Sequence, residues 1–144
     1  MTDAADALLL DTCAVIWLAN GDPLPAQVVA AIRRAALRGG VHVSPVSAWE
    51  IGMLANPRGS RPAQRFLPDP KTWFARLMTG PGIRMAALTP DIAVDASQLP
   101  GDLHGDPADR VLAATARHLG VPLVTRDAKL IAYAGQGHLQ VLAC

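Results

Sequence analysis

The stretch ALLLDTCAV, residues 7–15, runs from four apolar residues directly into an aspartate and a threonine. A continuous apolar run without polar alternation is typical of a strand buried on both faces, as in a parallel sheet. The next segment, CAVIWLAN at residues 13–20, predicts a short helix that ends at Gly21. Asp11 therefore stands at the carboxyl end of a predicted strand, where it either starts a turn or belongs to a ligand site.

The same alternation of strand and helix continues along the chain. Further apolar runs predict strands at residues 41–44, 83–88, 121–125 and 139–143. Helical spacing and helix-start residues predict helices at residues 25–38, 44–55, 71–78, 89–99, 106–120 and 126–134, and residues 57–70 form a proline-rich surface segment. Together these patterns predict an α/β fold, a three-layer sandwich with a central parallel sheet and helices on both faces.

Length and composition narrow the class of protein. The 144 residues predict one domain over residues 1–144, and the 51% hydrophobic content indicates either a large core or a partner chain. The net charge of +1 argues against a protein that coats DNA. The acidic start MTDAADALLL lacks the positive charge of a signal peptide, and no apolar run is long enough to span a membrane, so we expect a cytoplasmic protein.

The acidic residues have an unusual distribution. Of twelve, eleven are aspartate, and the single glutamate, Glu50, lies inside an apolar helical pattern. Asp106, Asp109 and Asp127 each have an alternative interpretation as helix-capping residues. Glu50 has no lysine within the nearest turn, so a partly buried carboxylate there needs an arginine from elsewhere or a metal ion.

All five acids are predicted to reach one edge of the sheet. Asp11 and Asp127 follow strands, Asp106 and Asp109 open a helix, and Glu50 lies one to two turns into the helix after the second strand. Two carboxylates about 5 Å apart repel by roughly 3 kcal/mol at an effective dielectric of about 20. Such a cluster either takes up protons or holds a divalent cation. A donor set of oxygens alone favours Mg²⁺ or Mn²⁺, which can activate a water for attack on phosphorus. The pattern therefore favours phosphodiester hydrolysis.

Four blocks in this order resemble the PIN-domain ribonucleases, specifically the VapC-type toxins of bacterial toxin–antitoxin pairs. They are LLLDTCAVIWL, SPVSAWEIGML, DPADRVLAATA and PLVTRDAKL, and they span nearly the whole chain. The resemblance implies a PIN-like fold and a metal-dependent endoribonuclease that cleaves transfer or ribosomal RNA. It also implies a cognate antitoxin as partner and a homodimer.

The resemblance also assigns roles to individual residues. It implies that Asp11, Glu50, Asp109 and Asp127 are the acidic quartet that binds Mg²⁺ or Mn²⁺, with Asp106 as an accessory acid. Thr12, Ser47 and Thr125 correspond to the polar residues that support the acids. Cys13 stands where many relatives have histidine, asparagine or serine, and it is either a small buried residue or a redox-sensitive thiol beside the metal.

Basic residues supply candidates for RNA binding. Arg110 and Arg126 adjoin predicted metal ligands and either bind phosphate or pair with the acids when no metal is bound. Arg58, Arg61 and Arg65 lie in the densest basic run, where Phe66, Trp73 and Phe74 either stack on bases or anchor the next helix.

Other functions compete with the ribonuclease. A non-catalytic PIN-like module that binds RNA or a partner would not need all four acids. A structure-specific DNA nuclease uses similar chemistry, but this chain lacks room for the extra helices that grip duplex DNA. A phosphoaspartate hydrolase of the dehalogenase type needs a second aspartate where Cys13 stands.

Overall fold

The computed structural model describes residues 6–144, so residues 1–5, part of the acidic start, lie outside the described residues. Five strands form one sheet in which every pairing is parallel. The strands are β1 (Ala7–Leu10), β2 (Gly40–Val43), β3 (Ile83–Met85), β4 (Leu123–Thr125) and β5 (Val141–Ala143). The predicted parallel sheet is confirmed.

Within residues 6–144, seven helices connect and cover these strands. They are α1 (Thr12–Asn20), α2 (Ala26–Leu37), α3 (Pro45–Leu54), α4 (Pro70–Met78), α5 (Pro90–Ser97), α6 (Pro107–Leu119) and α7 (Ala128–Gly135). Four of them, α3 to α6, have proline in the first turn and a Ser, Thr or Asp side chain that accepts a backbone N–H as N-cap. Proline is tolerated there because its missing N–H has no partner within the helix.

The strand order is β3-β2-β1-β4-β5, so the chain builds outward on one side of β1 and then returns to build on the other. The connections therefore diverge between β1 and β4. In open parallel sheets such a divergence leaves a crevice at the carboxyl ends of the two strands, and ligands bind there. The topology places the candidate site at the ends of β1 and β4.

The two faces of β1 contribute to different hydrophobic clusters. Leu8 and Leu10 pack with buried side chains of α1, α2 and α3, whereas Leu9 packs with those of α6 and α7. All three leucines are buried, as expected for a strand covered on both faces. Helix α5 packs on α6 through a small cluster of its own. The predicted three-layer sandwich is confirmed.

Two predicted segments differ from the structure. The strand predicted at residues 83–88 ends at Met85, because β3 is an edge strand with a neighbour on one side only. The segment 57–70 is mostly exposed, but Phe66 is buried and packs edge-on against Trp73 with ring centroids 5.0 Å apart. Phe66 and Phe74 both belong to the core, so neither is available to stack on a nucleic-acid base.

Within residues 6–144, no helix combines the length and the apolar character needed to cross a membrane.

Candidate metal-binding active site

The ends of β1 and β4 are tied together at the crevice. The Asp11 backbone N–H donates to the Val124 carbonyl over 3.1 Å, and Leu10 is in register with Val124. Asp11 follows the last residue of β1, and Asp127 lies two residues after the last residue of β4. The position predicted for both aspartates, at the carboxyl edge of the sheet, is confirmed.

Asp11 is a buried carboxylate that also caps helix α1. Its Oδ1 accepts the Ala14 N–H over 2.8 Å, and only 7% of the residue is exposed. The side chain of Thr125 favours the charged form of the carboxylate, but burial has the larger effect and raises the pKa of Asp11. Capping a helix and lying in the candidate site therefore coexist at Asp11. The supporting role predicted for Thr125 stays a prediction.

Glu50 is held by a hydroxyl network at the start of α1 and α3. The Thr12 hydroxyl donates to the Glu50 carboxylate and lies 3.0 Å from the Ser47 hydroxyl. Thr12 and Ser47 are buried, so their geometry is fixed by packing. Burial raises the pKa of Glu50, and the charges of Asp106 and Asp11 raise it further. The nearest polar partner of Glu50 is thus a hydroxyl group rather than an arginine.

Helix α6 brings two more carboxylates to the same edge. Asp106 is its N-cap and accepts the Asp109 N–H over 2.8 Å. Burial raises the pKa of Asp109 to about 7, with further contributions from Asp106, Asp127, Glu50 and Asp11 in that order. The charges of the four other predicted acids all contribute to this shift, so the five carboxylates influence one another electrostatically.

Asp127 caps helix α7 and faces the same cluster. Its Oδ1 accepts the Lys129 and Leu130 N–H groups over 2.9 and 3.1 Å, and its own N–H donates to the Thr125 hydroxyl over 3.0 Å. Its charge raises the pKa values of both Asp11 and Asp109. The capping interpretation of this residue is correct and does not exclude a role in the site.

Cys13 lies beside the acidic cluster and is exposed, so the interpretation as a small buried residue is wrong. Partial burial of the thiol and the charges of Asp11, Glu50 and Asp109 raise its pKa to about 11. A raised pKa leaves less of the reactive thiolate. The interpretation of Cys13 as a redox-sensitive thiol stays a prediction.

The donor set fits a hard divalent cation. The converging groups are carboxylates from five residues, and such oxygens suit Mg²⁺ or Mn²⁺. Among residues 6–144, no three Asp, Glu, His or Cys side chains lie close enough together to enclose a metal ion. Mg²⁺ does not require such a cage, since it usually binds through one or two carboxylates and keeps several waters. An open, half-buried rim of carboxylates matches that mode.

The predicted RNA-binding arginines divide into two groups. Arg110 donates to the Ala96 and Leu103 carbonyls over 2.8 and 2.7 Å, and Arg61 donates to three carbonyls at the end of α3. These two guanidinium groups hold the backbone in place, and the phosphate contact predicted for them stays a prediction. Arg58, Arg65 and Arg126 are exposed.

Arg126 is the arginine most closely tied to the acids. Its guanidinium carbon lies 3.6 Å from the centroid of the Trp17 ring, a cation–π contact. Its positive charge acts on both Asp11 and Cys13. This role of Trp17 as a support for Arg126 was missed from the sequence alone. No local signal could reveal that role, because the two residues are 109 positions apart.

The fold and the acidic cluster define a PIN domain, and a family model described as PIN domain matches residues 8–136. The chain therefore belongs to the PIN domain family. It is similar to Ribonuclease VapC22 of Mycobacterium tuberculosis, with 35% identity over 88 residues. That match spans 61% of this chain and 63% of the relative, which is less than two thirds of the relative's length.

Two solved structures share the fold. One is VapBC2 from Rickettsia felis bound to a DNA fragment from their promoter, with a TM-score of 0.66, 12% identity, and coverage of 95% of this chain and 98% of that chain. The other is FitAcB from Neisseria gonorrhoeae, with a TM-score of 0.60, 22% identity, and coverage of 94% and 96%. At these identities the likeness establishes the fold alone.

The Thr12 hydroxyl offers a direct test of how Glu50 is positioned. We expect Thr12→Val, which keeps the side-chain shape, to lower about tenfold the rate of the RNA cleavage proposed below, because Glu50 loses its donor and Ser47 loses its partner. The melting temperature should fall by no more than corresponds to about 1–2 kcal/mol. Thr12→Ser retains the hydroxyl and should keep most of the activity. Equal activity in both variants would show that the hydroxyl has no positioning role.

Proposed function

We propose that this PIN domain is an endoribonuclease dependent on Mg²⁺ or Mn²⁺, and that it is the toxin of a toxin–antitoxin pair. The observation that carries the proposal is the convergence of Asp11, Glu50, Asp106, Asp109 and Asp127 at the crevice between β1 and β4. Uncompensated carboxylates repel one another, so their accumulation at one edge is explained by a cation and an anionic substrate.

The residues of this chain have distinct parts in the proposed reaction. Asp11, Asp109, Asp127 and Glu50 would hold the metal ion, with Asp106 as an accessory carboxylate. When bound, the metal would supply positive charge for the phosphate and lower the pKa of a water. Thr12, Ser47 and Thr125 keep Glu50 and Asp11 in place through hydrogen bonds. Arg126, braced on Trp17, would contact a substrate phosphate.

Metal-dependent cleavage of cellular RNA tests the proposal directly. The purified chain, free of any antitoxin, would be incubated with total cellular RNA in Mg²⁺, in Mn²⁺ and in EDTA. We expect discrete fragments with either metal and none in EDTA, with transfer or ribosomal RNA as the substrate. A DNA duplex with single-stranded branches serves as the competing substrate. Cleavage of that duplex but not of RNA would favour a structure-specific DNA nuclease.

The partners are proposed on separate grounds. Large apolar side chains are exposed on and beside α3, including Trp49 at 54% and Met85 at 47% exposure. A cavity of about 740 Å³ between α3 and α4 has a mostly apolar lining. Exposed apolar surface of this kind marks protein contacts. This exposed surface supports our proposal of a homodimer and of a cognate antitoxin. We also propose that the protein acts in the cytoplasm.

Burial of Asp109, together with the charges of its acidic neighbours, predicts an unusual stability effect in the metal-free protein. The pKa of Asp109 is raised to about 7 in the folded state, so the folded protein retains this proton at pH values where the unfolded chain has lost it. Stability therefore falls as the pH rises from about 4 to about 7. Asp109→Asn removes the penalty, and in EDTA at pH 8 we expect a melting temperature about 3–6 °C higher than that of the wild type, after allowance for solvent screening at a half-exposed group.

The response to metal completes this prediction. Mg²⁺ should raise the melting temperature of the wild type and have a smaller effect on Asp109→Asn, since the variant has lost a ligand. The matched control is Asp91→Asn, because Asp91 also lies in the first turn of a helix but on α5. That control should be slightly less stable than the wild type in EDTA. A loss of stability in Asp109→Asn at pH 8 would contradict the proposed repulsive cluster.

A further inference from the structure

A cavity of about 490 Å³ adjoins the acidic cluster on the side of α3. It is continuous with the site, because Thr12, Cys13 and Glu50 belong to its lining. Its other walls come from the end of α3 and the turn that follows, through Met53, Asn56, Pro57 and Arg58. The lining is mostly apolar, and the volume lies in the range of small-ligand sites.

The outer wall of this cavity is held in place by the chain itself. Arg58 and Arg61 pair across a tight turn, with N–H to carbonyl distances of 3.0 and 2.9 Å, and Gly59 supplies the positive φ of 57°. The Arg61 guanidinium then donates to the Leu54, Met53 and Asn56 carbonyls. These bonds satisfy the last carbonyls of α3 and fix the turn against the helix. The cavity is therefore preformed.

We propose that this cavity is a subsite for an unpaired RNA base of a nucleotide flanking the scissile phosphate. The inference rests on the proposed ribonuclease function and assigns base preference to residues outside the acidic set. A nucleobase has flat apolar faces and a polar edge, which match the Met53 and Pro57 walls and the Asn56 amide. The exposed Arg58 adds positive charge at the cavity for the sugar–phosphate backbone. Such a site reads single-stranded RNA.

Two variants test the subsite in different ways. Asn56→Ala removes the amide, and Met53→Trp fills the cavity with a larger side chain. Val94→Trp, at a residue of α5 that is 55% exposed, is the control for adding a surface tryptophan. Each protein would cleave total cellular RNA in Mg²⁺, and sequencing of the cut ends would give the base composition on both sides of every cut.

We expect the wild type to show a base preference at one flanking position. Asn56→Ala should reduce that preference roughly three- to tenfold, the loss of about one hydrogen bond, and Met53→Trp should change or abolish it. The Val94→Trp pattern should match the wild type. If the wild type cuts RNA and both variants keep its cleavage pattern, the proposed base subsite is wrong, while the proposed function stands. The cavity would then bind a protein segment instead of a base. If the wild type releases no metal-dependent fragments, the proposed function fails, and the subsite with it.

Discussion

Asp11→Asn is expected to lower the rate of metal-dependent RNA cleavage at least about a hundredfold, the scale of losing one group that stabilises charge in the transition state. Asp11 is the most buried of the five acids, and it lies at the end of β1, where the connections to β2 and β4 run to opposite sides. Replacing one carboxylate oxygen by an amide nitrogen removes a negative charge from the metal-binding set and changes little else in shape.

The fold of Asp11→Asn should survive for two reasons. Asparagine is as good an N-cap as aspartate, so the bond from the Ala14 N–H to the side chain is retained. The substitution also removes a buried carboxylate whose pKa is raised by burial, which relieves a cost in the metal-free protein. We expect a melting temperature in EDTA equal to or above that of the wild type.

The control for this experiment is a helix cap outside the acidic cluster. Asp69 caps α4 through the Thr72 N–H over 2.8 Å, so Asp69→Asn makes the same chemical change at a matched position. It should leave cleavage unchanged. Fragment yields from total RNA, with melting curves of the same preparations, measure both effects. Cleavage by folded Asp11→Asn at the wild-type rate would rule out the proposed acid-and-metal mechanism.

Gly82→Ala is expected to destabilise the protein by about 3 kcal/mol or more. Gly82 immediately precedes β3, has a φ of 74°, and its carbonyl accepts the Val41 N–H over 2.8 Å. A Cβ at this position would come within 2.3 Å of the Ala36 carbonyl oxygen and 2.5 Å of the Ala36 Cα. The cost combines about 1–2 kcal/mol for a left-handed residue with a further 1–3 kcal/mol for the steric clash with the end of α2.

Gly120 provides the comparison that separates these two contributions. It ends α6 with a φ of 68°, but a Cβ there would meet no atom within 4 Å. Gly120→Ala should therefore cost only about 1–2 kcal/mol, the conformational part. Urea unfolding of both variants gives the difference directly. Equal costs would show that the contact between β3 and α2 relaxes freely. Cleavage by folded Gly82→Ala should stay near the wild-type value, since β3 lies at the edge of the sheet.

Much of the fold could be predicted from the sequence because its signals are local. The apolar run before Asp11 predicts a strand buried on both faces, and Leu8, Leu9 and Leu10 are buried as expected. Proline after Ser44, Thr89 and Asp106 marks the start of α3, α5 and α6. Capping and periodicity depend on residues a few positions apart, so one sequence is enough to reveal them.

The acids of the candidate site were also identified from the sequence, because four of them follow a strand or begin a helix and Glu50 is a lone acid in an apolar helix. The sequence could not reveal which groups the neighbouring arginine side chains contact. Arg110 and Arg126 both stand next to an acid, yet one clamps the Ala96 and Leu103 carbonyls and the other lies over Trp17. Adjacency along the chain says nothing about the direction in which a long side chain runs.

The sequence by itself determined which segments form strands and helices, and which carboxylates lie at their ends. Only the tertiary structure decided that the chain crosses to the far side of β1, and so that Asp11 and Asp127 share a crevice. The bond from Thr12 to Glu50, the burial of Phe66 and the cavity beside Met53 were also decided there. The physical reason is that these contacts join residues far apart in the chain, and their geometry follows from strand order and packing.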